Sequence, residues 1–348
     1  MDVVTAGGST TTPHSPGTPG GDSGWTALIG WSIGSLIGNM ALILTGALVR
    51  LTKSGLGCPT WPKCTDDSFI PVGMGLHGAI EFGNRLLTFA LVALAIGTFV
   101  AALRVLDRGK RRPDLVRLSV IAALGIPAQA IIGGITVLTQ LNPYVVGLHL
   151  VVSVGLIVIL VLLVRRARRI PARPMRALGR NLVAASFWLM MVVVLLGVLV
   201  TGSAPHAGDD AAMRTGFDVE TVAKIHAWVL WGTMVVVAAA WWITRARQVT
   251  WLVIASLLQG LVGYLQYFNG LPIWIVAFHM IGVAVIAAVV GNMFWALGTK
   301  ESIPQAVAGP AGGPVRGPGD DPPGRRGAGH RLTTMPLPRV AQPRQPCR

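Results

Sequence analysis

The chain has 348 residues, 52% of them hydrophobic and only 12% charged, with a mean hydropathy of +0.62. That is more apolar sequence than one soluble core can hide, so a simple soluble globular domain is excluded. The formal net charge of +15 would suit a nucleic-acid partner, but the placement of the charges argues against one.

The fold class expected is all-α: a polytopic membrane protein with eight transmembrane helices arranged as two pseudo-repeated four-helix bundles. Eight windows each supply about 19 or more mostly apolar residues, enough to cross a hydrocarbon layer of roughly 30 Å. In chain order they are Trp25–Val49, Val72–Leu103, Leu118–Leu138, Tyr144–Val164, Leu182–Val200, Val222–Ile243, Val249–Tyr267 and Pro272–Leu297. Pro127 interrupts the third window, and Gln259, Gly260 and Gly263 dilute the seventh.

If residue 1 starts in the cytoplasm, 23 of the 29 Lys and Arg residues fall in the cytoplasmic segments 104–117, 165–180, 245–247 and 300–348. Only Arg50, Lys53, Lys63, Arg214 and Lys224 fall outside, and Arg85 lies within a helix. This asymmetry follows the positive-inside rule. It predicts a multi-pass protein of the plasma membrane with both termini cytoplasmic, whose large partner is the lipid bilayer and not nucleic acid.

Residues 1–24 are rich in Gly, Ser, Thr and Pro without Lys or Arg, so they lack the basic start of a cleaved signal peptide and read as a disordered cytoplasmic tail. Residues 25–164 form an N-terminal half, 165–180 a basic cytoplasmic linker and 181–297 a C-terminal half. Residues 298–348, rich in Pro, Gly and Arg, read as a second disordered tail, and Cys347 within it is given no role.

The first outer loop, "LTKSGLGCPTWPKCTDD", holds Cys58 and Cys64, on the side of the membrane where a disulfide persists. The pair suits either a staple closing the loop or a redox dithiol. Two thiolates alone are too few for zinc.

His77, His149, His226 and His279 fall on helices two, four, six and eight, all running from outside to inside. Pro71 to His77, Pro143 to His149 and Glu220 to His226 each span 6 residues, and Pro272 to His279 spans 7. At 1.5 Å per residue the four imidazoles share one layer roughly 9 to 10 Å below the outer surface. Ionisable groups in a bundle usually face its interior, and paired imidazoles on facing helices are how bundles ligate haem iron.

The second half repeats the first in parallel. "QAIIGGITVLTQLNPYVVGLH" (129–149) aligns with "QGLVGYLQYFNGLPIWIVAFH" (259–279) at an offset of 130, bringing Gln129 onto Gln259, Gly133 onto Gly263 and His149 onto His279. "LHGAIEFG" (76–83) aligns with "IHAWVLWG" (225–232) at an offset of 149, matching His77 to His226. On helix two, His77, Glu81, Asn84 and Arg85 share one face; in that register helix six offers His226, Leu230, Thr233 and Met234. Glu81 reads either as half of an internal ion pair with Arg85 or as a candidate catalytic carboxyl able to relay protons.

These residues resemble the haem A synthase family, in an actinobacterial-like variant. The resemblance rests on "LTKSGLGCPTWPKC", "IEFGNR", "GGITVLTQLNPYVVGLH", "VTGSAPHAGD" and "FHMIG", and covers about residues 27–297. It implies an enzyme that oxidises the ring D methyl of haem O, by successive oxygenations, to the formyl group of haem A for terminal oxidases. It further implies a haem b whose iron is held by His226 and His279, and a substrate haem site near His149 with Glu81 beside it. Cys58 and Cys64 match a family disulfide linked to haem handling. Haem O is then the substrate, the haem O synthase that makes it a candidate partner, and the electron donor is unidentified.

Helix two departs from the family pattern, Glu-x-x-His-Arg, because Asn84 stands where the His is expected, with Arg85 after it. Asparagine is a poor iron ligand, and His77, two turns nearer the outside, is the substitute this helix offers. The later outer loop also lacks the second cysteine pair of some relatives. Two rival readings are a di-haem membrane electron carrier linked to quinol and a proton-coupled transporter using Glu81.

Overall fold

A computed structural model describes residues 21–298. The expected tails, apart from residues 21–24 and Gly298, and with them His14, His330 and Cys347, lie outside the described residues. The described chain is a membrane protein of eight helices, each long and apolar enough to span a bilayer. They are α1 (Gly21–Leu51), α2 (Gly75–Arg104), α3 (Pro113–Leu138), α4 (Pro143–Ala167), α5 (Ala177–Ser203), α6 (Val219–Thr244), α7 (Arg247–Phe268) and α8 (Ile273–Met293). A π-helical turn, Phe294–Gly298, prolongs α8.

The first helix begins at Gly21, so the boundary drawn at residue 24 moves back into the expected tail. Both doubtful windows are full helices: α3 runs 26 residues through Pro127 and α7 runs 22. Local chemistry sets several starts. Asn142 accepts the Tyr144 N–H at 3.0 Å with Pro143 at the first helical position of α4. Asp218 caps α6 by accepting from the Thr221 N–H and hydroxyl, which holds its carboxyl below the usual range.

Helix α2 starts later than hydropathy predicts. Gly73 and Gly75 have φ of +75° and +62°, a left-handed geometry that glycine adopts freely and that ends the preceding turn before the helix can begin. A hairpin that the sequence reading missed joins α2 to α3: β1 (Leu106–Asp107) pairs with β2 (Lys110–Arg111) around Arg108 and Gly109, both at positive φ. Arg112 then bridges Asp107 and Asp114, and Arg166 of α4 also reaches Asp114.

Antiparallel neighbours pack as pairs within each half: α1 on α2, α3 on α4, α5 on α6 and α7 on α8. The halves meet through α4 on α8, α1 on α8 and α4 on α5. Solid packing concentrates at one end of the bundle. There Leu28, Ala102, Leu115 and Leu163 fill the first half, and Val183, Val237, Leu252 and Met293 the second. Ile43, Val154, Ile157, Ala284 and Ala287 seal the seam between halves.

The opposite end is held by loops. Segments 52–74, 139–142, 204–218 and 269–272 gather there: Gly55 N–H donates to the Gly208 carbonyl at 2.9 Å, and His206 Nε2 meets the Leu271 carbonyl at 3.0 Å. Arg50, at the end of α1, crosses to the second half and donates to the carbonyls of Thr201 and His206. Because Cys58 and Cys64 are joined there in a disulfide, we call this end the disulfide face.

Candidate functional site

A packed base and a loop-covered top leave a hollow between them. Its volume is about 2060 Å³, well above the roughly 300 to 1,000 Å³ of ordinary small-molecule pockets. Both halves line it.

Three of the four intramembrane histidines line this cavity, and each is seated the same way. A Cβ added to Gly133 of α3 would lie 3.3 Å from Cε1 of His149, one added to Gly197 of α5 3.2 Å from Cε1 of His226, and one added to Gly263 of α7 3.3 Å from Cε1 of His279. Each ring therefore rests its Cε1/Nδ1 edge on bare backbone of the preceding helix, where any side chain would displace it. Nδ1 of each is buried and makes no hydrogen bond of acceptable geometry. That leaves Nε2 as the nitrogen open to the cavity.

The repeat at an offset of 130 carries down to single hydrogen bonds. The Gln129 amide donates to the His149 carbonyl at 3.1 Å, and the Gln259 amide to the His279 carbonyl at 2.8 Å. In the first half Gln129 also donates to Ser153, whereas position 283 in the second half is Val.

His77 is placed elsewhere. Since α2 begins at Gly75, His77 sits in its first turn, exposed, with Nδ1 2.9 Å from Ser54 Oγ, and it is not among the cavity-lining residues. The single four-histidine layer is thus corrected to three, because counting from Pro71 assumed helix where two left-handed glycines make a turn. The repeat register between α2 and α6 also changes. An offset of 149 would carry Gly75–Arg104 onto residues 224–253, far past the end of α6 at Thr244; an offset of 142 carries it onto 217–246 and fits Val219–Thr244. The slip is 7 residues, two helical turns, which keeps every side chain on the same face and so escapes a periodicity argument. In the corrected register Glu81, Asn84 and Arg85 correspond to Ala223, His226 and Ala227.

Glu81 is 5% exposed and lines the cavity. Its Oε1 accepts from Arg85 at 2.6 Å and its Oε2 from the Cys58 N–H at 2.6 Å. Arg85 in turn donates to the carbonyls of Cys58 (2.9 Å), Thr60 (3.1 Å) and Lys63 (3.1 Å). The carboxylate and guanidinium therefore grip the backbone of the disulfide loop, whose cysteine Cα atoms are 4.4 Å apart. Trp61, at the loop tip, lies against Gly134 of α3, where a Cβ would meet its indole ring. Asn84 accepts from the Thr45 hydroxyl at 2.8 Å. The roles of Trp61, the three seat glycines and Arg50 went unread; Gly133 and Gly263 left a signal, since they coincide in the repeat beside the histidines.

Among the described residues no cluster of three or more His, Cys, Asp or Glu side chains is placed to hold a bare metal ion. The donors come instead as imidazoles spread around a large apolar cavity, a set that suits an iron carried by a macrocycle.

A family model described as COX15-CtaA, cytochrome oxidase assembly protein, matches residues 30–74. A Heme A synthase of Geobacillus kaustophilus is 34% identical over 143 residues, 40% of this chain and 44% of that protein. Its counterpart in Geobacillus thermodenitrificans is 32% identical over 151 residues, 42% of this chain and 45% of the relative. A third, from an Exiguobacterium species, is 30% identical over 165 residues, 45% of this chain and 52% of the relative. The chain thus spans about half the length of the curated relatives it matches, and over that stretch it is similar to haem A synthases.

Proposed function

We propose that the chain is a haem A synthase, an oxidoreductase that converts the ring D methyl of haem O to the formyl group of haem A for a terminal oxidase. One observation carries this reading: three imidazoles, each seated on a glycine of the preceding helix, offer Nε2 to one large cavity that also holds a single buried carboxylate. The similarity to proteins named Heme A synthase supports it. In this reading the disulfide face is extracytoplasmic and both termini are cytoplasmic, as the concentration of Lys and Arg at the opposite end of the helices favours.

His226 and His279 would hold a resident haem b in the second half, and His149 would hold the substrate haem in the first. When bound, the resident haem supplies one-electron transfer. The remaining work falls to protein groups. Gln129 and Gln259 fix the helix pairs at the level of the ligand rings by holding the carbonyls of His149 and His279. Trp61 and the disulfide loop close the first-half cavity from above and keep water from it. Glu81 is held by Arg85 and the Cys58 N–H in one orientation, so a proton accepted at Oε1 breaks its bond with Arg85. Proton uptake there is thereby tied to the grip on the loop.

The test is pigment extraction from cells supplied with haem O. Haem A should appear only with the gene, the purified protein should show a Soret band, and Glu81→Gln should abolish haem A while leaving that band. A protein with two haems that never yields haem A would instead be a membrane electron carrier, and the proposal would fall.

A further inference from the structure

The seats of the histidines follow a rule that predicts a fourth. Gly133 lies five residues before the end of α3, Gly197 six before the end of α5 and Gly263 five before the end of α7. On α1 the matching residue is Gly46, five before Leu51, and it lines the same cavity. A Cβ there would meet nothing within 4 Å, unlike the other three. The seat exists, but no ring rests on it.

The α2 residue at that level is Asn84, held by the hydroxyl of Thr45, the neighbour of Gly46. His77 lies seven residues away along α2, roughly 10 Å toward the disulfide face at 1.5 Å per residue. It is exposed, engaged with Ser54 and separated from the cavity. The loop backbone at Gly57 runs directly against the His77 carbonyl, where a Cβ would lie 2.3 Å from its oxygen.

We propose that the first-half site binds its haem through His149 alone and leaves the opposite axial face open, between Gly46 and Asn84. The second half, with His226 and His279 both seated, closes both faces. The proposal rests on the haem A synthase reading for the presence of a haem in each half, and adds what this chain's own residues do to it. Glu81 stands one turn from Asn84 on the same side of α2, so the open face is also the face nearest the buried carboxylate. A small diatomic molecule entering there would meet the Asn84 amide, a donor and acceptor in place of a ligand ring.

Carbon monoxide added to the reduced, haem-loaded protein tests this. The wild-type chain should carry two haems, of which one binds CO and one stays low-spin with both axial positions filled. His149→Ala should remove the CO-binding haem and leave the low-spin one. Asn84→His should suppress CO binding by about tenfold or more and raise the low-spin signal, while Asn84→Ala, in case the His variant folds poorly, should keep CO binding. His77→Ala should change neither signal. Two haems with no CO binding in the wild type, or a CO signal that appears only in His77→Ala, overturns the single-histidine site and leaves the haem A synthase reading standing. A chain that takes up no haem overturns both.

Discussion

The two halves share a scaffold and differ in what α2 and α6 carry. In the second half a loop of residues 204–218 leads to α6 with Ala223, His226 and Ala227 facing the cavity. In the first, the longer loop 52–74 leads to α2 with Glu81, Asn84 and Arg85 at the matching positions. The α3/α4 and α7/α8 pairs by contrast keep the same glycine, glutamine and histidine. The geometry of the seats is common to both halves, while a few side chains on one helix pair differ. One half reads as a closed holder; the other has a carboxylate, a clamp and a lid.

The largest expected effect comes from erasing that difference chemically. Glu81→Gln keeps an acceptor for the Cys58 N–H but removes the charge and the proton site, and should lower haem A formation by about 10²- to 10⁴-fold, the usual worth of a positioned acid or base. Haem content, read from the Soret band, should stay near the wild-type level. Undiminished haem A in Glu81→Gln would mean that the asymmetry between the halves is structural only.

Next is the clamp. Arg85→Ala strips the hydrogen bonds from three loop carbonyls and leaves Glu81 buried with the Cys58 N–H as its remaining donor, which should cost about 3 to 5 kcal/mol, as for a broken buried ion pair. Reducing the Cys58–Cys64 bond alone, a short loop, should cost only about 2 kcal/mol of chain entropy. Thermal unfolding of the detergent-solubilised protein should therefore fall further for Arg85→Ala than on adding reductant. The reverse order would make the covalent bond, and not the ion pair, what holds the lid.

Much of this was legible before the structure, and the misses share a cause. Eight spans followed from hydropathy because each helix must satisfy its own backbone in lipid. The repeat at an offset of 130 was readable because α3 and α4 are joined by the four residues 139–142, as α7 and α8 are by 269–272, so the register cannot drift. Between α1 and α2 the loops differ in length, the register did drift, and His77 was matched to His226 where Asn84 belongs. Helical periodicity cannot detect a slip of two whole turns. Likewise an ion pair of Glu81 with Arg85 was one of the two readings that their i, i+4 spacing left open, but that Arg85 also holds carbonyls of Cys58, Thr60 and Lys63 depends on how a loop folds back, which spacing does not encode. The β1–β2 hairpin was lost among charges counted only for their sign.

A smaller effect separates the two glutamines. Gln129→Leu removes bonds to the His149 carbonyl and to Ser153, whereas Gln259→Leu removes only that to the His279 carbonyl. At about 1 kcal/mol per hydrogen bond, the first should destabilise about twice as much as the second in the same thermal assay. Equal losses would show that Ser153 contributes nothing to the first half.

The smallest effect is the sharpest probe of the seats. Alanine at Gly133, Gly197 or Gly263 gains helix propensity of roughly 0.5 to 1 kcal/mol but brings a Cβ to 3.2–3.3 Å from a histidine ring, so the ring must shift by a few tenths of an ångström at a similar cost. The two should nearly cancel in thermal stability while the displaced Nε2 lowers haem retention. Alanine at Gly46 meets no atom within 4 Å and should show the propensity gain alone. A rise in unfolding temperature for Gly46→Ala without one for the other three would identify Gly46 as the empty member of the set. An unchanged unfolding temperature for Gly46→Ala, as in the other three, together with lowered haem retention, would mean that a side chain occupies that seat after all, and the two halves would be more alike than their α2 and α6 sequences suggest.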